Sequence, residues 1–73
     1  MNDTRSVWLV IHMARSDETA QRIIDMLSAE GLVAKKHPIY RNRSARDNFY
    51  EILVLKSESA EARNLLVEHG FMT

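Results

Sequence analysis

The chain has 73 residues, no cysteine, and ten basic side chains balanced by ten acidic ones, so its formal net charge is zero. This length accommodates a single small domain, residues 1–73, with a thin core. The absence of cysteine excludes disulfides and thiolate metal sites, and the zero net charge argues against broad electrostatic attraction to nucleic acid or to a membrane surface.

The first predicted strand covers residues 7–13, "VWLVIHM", a short apolar run rich in β-branched residues. Alternation places Val7, Leu9, Ile11 and Met13 on one face and Trp8, Val10 and His12 on the other. Seven residues are too few to span a bilayer, and the polar residues 1–6 lack the features of a signal peptide. We therefore expect a mobile N-terminus and a cytoplasmic protein.

The first predicted helix follows Ser16, a typical N-cap residue, and begins with two acidic residues that suit the positive end of a helix dipole. Its apolar residues recur at the spacing of an amphipathic helix: Ala20, Ile23, Ile24 and Leu27. Gly31 ends this helix, and Leu32 is placed to pack back on its last turn.

Two further strands and a second helix complete the chain. Residues 32–40 predict an edge strand, because Pro38 cannot donate a hydrogen bond to a neighbouring strand. Residues 49–55 are more apolar and predict the central strand. Ser57 or Ser59 is expected to cap a helix that ends at Gly70. The inward residues of this helix are expected to be Ala62, Leu65 and Leu66.

The element order β-α-β-β-α predicts an α+β fold of the ferredoxin-like, split βαβ type. In this plan two helices cover one face of a three-stranded antiparallel sheet, with the third strand in the middle. The fourth strand of the full plan would have to come from residues 71–73, "FMT", which are too few for more than a stub. The two strand–helix units also resemble each other, since each runs from a cap through an acidic turn and an apolar stripe to a glycine.

A bare first strand and an apolar open sheet face predict a binding partner. If His12 and Glu51 mark the face away from the helices, four apolar residues share it: Trp8, Val10, Leu53 and Leu55. An exposed strand edge invites pairing with another chain, and a contiguous apolar patch is typical of an interface. We expect a homodimer or higher oligomer that forms through strand one, through the open face, or through both.

Three stretches carry a family resemblance: "IHMARSDE", "AEGLVAKK" and "NFYEILVLKSESAEA". On these residues the chain resembles small bacterial signal-transducing proteins with a PII-like, ferredoxin-like βαββα plan. The resemblance covers nearly the whole chain and implies that fold, a regulatory role and no defined enzymatic activity. Similar chains are sometimes labelled glutamate decarboxylase, but a pyridoxal-phosphate site needs a much larger fold than 73 residues provide. We expect neither an enzyme nor a cofactor.

Two groups of polar residues are candidate ligand sites. His12 and Arg15 lie at the start of the first helix, where free amides favour anions, although a half-exposed strand histidine is the ordinary interpretation. The three histidines lack metal-ligand spacing, so no metal site is expected.

The second candidate group is basic. Residues 35–46 hold half of the cationic side chains and no acidic one, so the rest of the chain is net acidic by five. The candidate contact residues are Arg41, Arg43 and Arg46 in the connector 41–48, together with Lys36. This connector lacks the glycines of a phosphate-binding loop, and the ordinary interpretation is a flexible hairpin tip.

These observations leave two classes of function open. The first is a non-enzymatic regulatory or interaction module that binds a small effector or a protein partner, as domains of this plan often do. The amino-acid-binding ACT form of this class is disfavoured, because "HMARSDE" lacks a glycine in the first turn. The second is a weak binder of single-stranded nucleic acid that resembles an RRM and uses the basic connector. The strand residues "DNFYEILVL" depart from the RRM consensus, and alternation turns Tyr50 toward the helices.

Overall fold

The computed structural model describes residues 7–39 and 49–72. The strands are β1 (Trp8–Ala14), β2 (Ala34–Ile39) and β3 (Phe49–Leu55), and the helices are α1 (Asp17–Ala29) and α2 (Ser59–Glu68). The strands form an antiparallel sheet in the order β1-β3-β2. The predicted element order, the central position of the third strand and the ferredoxin-like α+β fold are all confirmed. Tyr40 and the connector 41–48 lie outside the described residues.

Both helices pack on one face of this sheet. That face carries Ile52 and Val54 from β3, which are fully buried against Ile23 and Leu27 of α1 and Leu66 of α2. The last residues of the described chain, Phe71 and Met72, pack against the same core without forming a fourth strand. None of the described helices is long and apolar enough to cross a membrane.

The ends of α1 follow the capping chemistry that the sequence predicts. The Ser16 hydroxyl oxygen accepts a hydrogen bond of 3.1 Å from the Thr19 amide. At the other end the Leu32 amide donates to the Leu27 carbonyl, and the Gly31 amide donates to the Ser28 carbonyl. This pattern is a Schellman motif, which requires the positive φ of 89° at Gly31.

Helix α2 ends in the same way but begins differently from the prediction. Its last turn repeats the Schellman pattern at Gly70, where φ is 82°. Its start is preceded by a 3₁₀ turn, Lys56–Glu58, and neither serine caps it: the N-cap position is Glu58, without a side-chain hydrogen bond. The Ser59 hydroxyl instead donates to the Lys56 carbonyl. The predicted serine cap was wrong because the chain enters this helix through a tight helical turn rather than from an extended residue.

A β-bulge in β1 alters the strand faces that alternation predicts. Val10 lies opposite Leu53, whereas His12 lies opposite Ile52, so Ile11 is an extra residue on β1. Since residues that face each other across an antiparallel pair point to the same side, His12 lies on the helix-covered side with Ile52. The bulge also moves Met13 to the open face, opposite Glu51. Strict alternation predicts the reverse for both residues.

Candidate functional site

The face of the sheet away from the helices is the candidate functional site, and we call it the open face. The register of the three strands arranges its side chains in rows. From one end to the other, the rows are Trp8 and Leu55; Val10, Leu53 and Lys35; Met13, Glu51 and His37; and Phe49 with Ile39. The four predicted interface residues, Trp8, Val10, Leu53 and Leu55, therefore lie together in the first two rows.

Two rows of the open face also carry charged or titratable side chains. The Lys35 ammonium lies 4.1 Å from the centre of the Trp8 ring, so this cation rests on the apolar part of the face. In the next row the His37 ring nitrogen Nδ1 lies 3.1 Å from a Glu51 carboxylate oxygen. The open face is thus apolar at both ends, with one lysine and one histidine–glutamate pair between them.

The apolar side chains of the open face are accessible to solvent. Val10 is 44% exposed and Met13 is 40% exposed, whereas Ile52 on the opposite side of the sheet is fully buried. No described element covers this face, because both helices pack on the other one. An uncovered apolar surface bordered by polar groups is typical of a binding site for a macromolecule or an apolar ligand.

The two outer edges of the sheet are poorly suited to strand pairing. On β1, the Lys56 amide donates to the Val7 carbonyl, so the backbone groups of Trp8 and Val10 point away from β3. The bulge at Ile11 interrupts this outward row after Val10. On β2, Pro38 removes a donor from the other edge. Bulges and prolines at edges are features that oppose edge-to-edge association.

Lys36, a predicted contact residue, is held on the helix-covered side of the sheet. Its ammonium donates to a carboxylate oxygen of Asp17 and, at 3.0 Å, to the side-chain oxygen of Gln21. Both partners lie on α1, so this lysine connects an edge strand to a helix. Its ammonium is already engaged within the chain, which reduces its capacity to bind an external anion.

His12 and Arg15, the predicted anion-binding pair, lie in different environments. Arg15 is exposed in the turn after β1, whereas His12 is half-buried beneath the helices. Burial lowers the pKa of His12 below its usual value of 6.5, so the neutral ring is favoured at physiological pH. A neutral imidazole supplies no positive charge to an anion. The hydroxyl of Ser16, next in the chain, is used by the helix cap.

The remaining predicted contacts lie outside the described residues. Arg41, Arg43 and Arg46 belong to the connector 41–48, which the structure does not describe. Within the two described segments, no three histidine, aspartate or glutamate side chains are grouped closely enough to hold a metal ion.

Sequence reasoning missed several members of the open face. Alternation places Met13 on the opposite face, because the bulge has no glycine or other local signal in "LVIHM". Lys35 and His37 had a detectable signal, since alternation along β2 pairs them with Leu53 and Glu51. The contact of Lys35 with Trp8 has no such signal, because it depends on the register of three strands: Trp8 lies on β1 and Lys35 on β2, with β3 between them.

The chain matches no protein-family model, no curated protein matches its sequence, and no solved structure matches it.

Proposed function

We propose that this chain is a non-enzymatic regulatory or interaction module that acts in the cytoplasm. In this proposal it self-associates through the open face, and the resulting oligomer binds a protein partner or a small effector. One observation carries the proposal: among the described residues, the core lies on one face of the sheet, while apolar side chains on the other face stay accessible to solvent. The resemblance of its strand and cap residues to small signal-transducing proteins of PII-like plan supports a regulatory role.

Sedimentation equilibrium over a hundredfold range of protein concentration tests the self-association. We expect the average mass to rise above that of an 8.4 kDa monomer as the concentration increases. The effector can be sought by a thermal-shift screen of small metabolites, because a ligand that binds only the folded state raises the melting temperature. A mass that stays monomeric at every concentration, together with a screen without hits, would contradict the proposal.

Binding of single-stranded nucleic acid is the second candidate function, and the Trp8–Lys35 pair favours it. An aromatic ring beside a cation on an open sheet face is how many proteins stack a base and hold its phosphate. Other features oppose it. Phe49, the other described aromatic residue on this face, lies in the row farthest from Trp8, and Tyr50 packs against the core. The carboxylate of Glu51 lies in the row between Phe49 and the Trp8 end of the face.

A gel shift with single-stranded RNA at increasing salt concentration tests this second function. Affinity that falls steeply with salt would support it, because phosphate contacts release counterions. The matched variants are Trp8→Ala, which removes the stacking ring, and Arg41, Arg43 and Arg46 changed together to alanine, which removes the connector charges. Both should weaken binding if the open face and the connector grip RNA together, and the absence of any shift for the unaltered protein would exclude this function.

A further inference from the structure

Two properties of the sheet disfavour association through its edges. The bulge in β1 limits the outward-pointing backbone row of that edge to the first residues of the strand, and Pro38 interrupts the edge of β2. A long continuous sheet across either edge is therefore disfavoured. On the open face, a bulge or a proline does not block contact in this way, and the rows at both ends are apolar.

We propose that the open face is covered by the open face of a second copy of this chain, related by a two-fold axis that lies between the two sheets and runs perpendicular to the strands. In this arrangement Lys35 of each copy lies over the His37–Glu51 pair of the other. This arrangement rests on the self-association in the proposed function and adds to it the symmetry axis and the residue contacts.

The charges of the open face favour a second copy over other partners. Near the centre of the face lie one lysine, Lys35, and one glutamate, Glu51, in adjacent rows. A strongly acidic partner would be repelled by Glu51, and a strongly basic one by Lys35. A second copy offers an opposite charge for each of them, and complementary charges fix the register of an interface.

The row order supports this axis. A two-fold axis between the second and third rows exchanges those rows strand by strand. Val10 then meets Met13, Leu53 meets Glu51 and Lys35 meets His37, so that Glu51 is the diagonal neighbour of Lys35. The same rotation sets the Leu55 end of one copy against the Phe49 end of the other, which places apolar rows on apolar rows. An axis along β3 would instead set Glu51 against Glu51 of the second copy, an unfavourable contact between like charges.

The dimensions of the face indicate a reversible dimer. Three strands spaced about 4.8 Å apart and about 23 Å long give a projected face of roughly 300 Å² for each copy. Stable complexes of standard size bury about 800 Å² of accessible surface on each side. We expect a dimer that dissociates on dilution.

Two single charge reversals test the arrangement: Lys35→Glu and Glu51→Lys. Each variant alone sets two like charges against each other at both symmetric contacts, and we expect its dissociation constant to rise at least about tenfold. An equimolar mixture of the two variants restores opposite charges at both contacts, so the mixed dimer should form with an affinity close to that of the unaltered protein. A contact within one chain cannot produce this rescue.

Sedimentation equilibrium measures each variant and the mixture, and Trp8 offers an optical readout. It is the single tryptophan of the chain and lies on the open face, so its emission should shift to shorter wavelength as dimers form. Far-UV circular dichroism checks that each variant folds. If a charge variant does not fold, Val10→Asp replaces it, with Val67→Asp as the control, because Val67 on α2 is similarly exposed at 49% but lies away from the open face.

The outcomes separate the inference from the proposed function. The face-to-face arrangement is supported if each charge reversal alone weakens dimerisation and the mixture of the two restores it. It is also supported if Val10→Asp loses the dimer and Val67→Asp keeps it. A protein that dimerises while both charge reversals dimerise equally well would overturn this arrangement and leave self-association in place. A protein that stays monomeric at every concentration would overturn this arrangement and, with it, the self-association in the proposed function.

Discussion

At the scale of single residues, His12 shows how a small change in backbone register alters chemistry. Alternation alone assigns it to the open face, but the bulge at Ile11 places it opposite Ile52, beneath the helices. There, burial disfavours the charged imidazolium and lowers its pKa below 6.5. The residue is thus better suited to a neutral role in packing than to holding an anion.

The pH dependence of stability tests this environment. The unfolded chain keeps the ordinary histidine pKa near 6.5, whereas the folded state holds His12 at a lower pKa. The contribution of neutral, buried His12 to the stability of the fold is therefore fully present above about pH 6.5. It is lost as the pH falls, because the unfolded state then binds a proton more readily than the folded state does. Urea unfolding between pH 7.5 and pH 5 should show a shallower loss of stability in His12→Gln than in the unaltered protein.

His69→Gln is the matched control, since His69 is exposed at the end of α2. Identical profiles for all three proteins would show that burial of His12 has no effect on stability.

At the scale of elements, the two helices show which local signals act independently of their surroundings. Both end at a glycine with positive φ, and both last turns make the same pair of backbone hydrogen bonds. A glycine adopts this conformation without the cost of a Cβ atom, so the sequence specifies the end of each helix. The starts differ, because only α1 is entered from an extended residue, Ser16 with φ −150°.

The Ser16 cap gives a prediction at this scale. Ser16→Ala removes the acceptor for the Thr19 amide and should reduce the free energy of unfolding by about 1 kcal/mol. Ser28→Ala is the control, because Ser28 is exposed inside α1 and alanine has the higher helix propensity. Denaturant unfolding at one protein concentration measures both. Equal stabilities for the Ser16 variant and the unaltered protein would contradict the cap.

At the scale of the whole molecule, β3 has core residues on one side and open-face residues on the other. Ile52 is fully buried among the helices, and Leu53, its neighbour in the chain, lies in the second row of the open face. A small domain has a total stability of only about 5–15 kcal/mol, so the loss of one core side chain removes a large part of it. We therefore expect shortening a side chain on the core side of β3 to cost far more stability than shortening one on the open face.

Two adjacent alanine substitutions test this division. Ile52→Ala should reduce the free energy of unfolding by about 2–5 kcal/mol at every protein concentration, because it leaves a cavity in the core. Leu53→Ala should have a smaller effect on the monomer but should weaken the concentration dependence of the melting temperature, which reports self-association. Melting curves over a hundredfold concentration range measure both effects. A larger loss for Leu53→Ala than for Ile52→Ala in dilute protein would contradict the assignment of the two faces.

Local signals in the sequence are enough to predict the order of the elements, the ends of the helices, the edge position of the proline-bearing strand and the central position of residues 49–55. These features depend on signals within a few residues of one another: hydrophobic periodicity, a cap, a glycine with positive φ, and a missing amide donor. Half of the ten residues of the open face could also be predicted, because simple alternation places five of them there: Trp8, Val10, Glu51, Leu53 and Leu55.

Other features depend on contacts between distant parts of the chain and cannot be predicted from local signals. The bulge that turns His12 inward and Met13 outward appears only in the pairing of β1 with β3. The placement of Lys35 over Trp8, and of Lys36 on Asp17 and Gln21, likewise depends on which strand and which helix lie beside β2. Local propensity carries no information about the register between strands. Lys35 and Lys36 are adjacent and of the same type, and their different surroundings arise only when the sheet and the helices assemble.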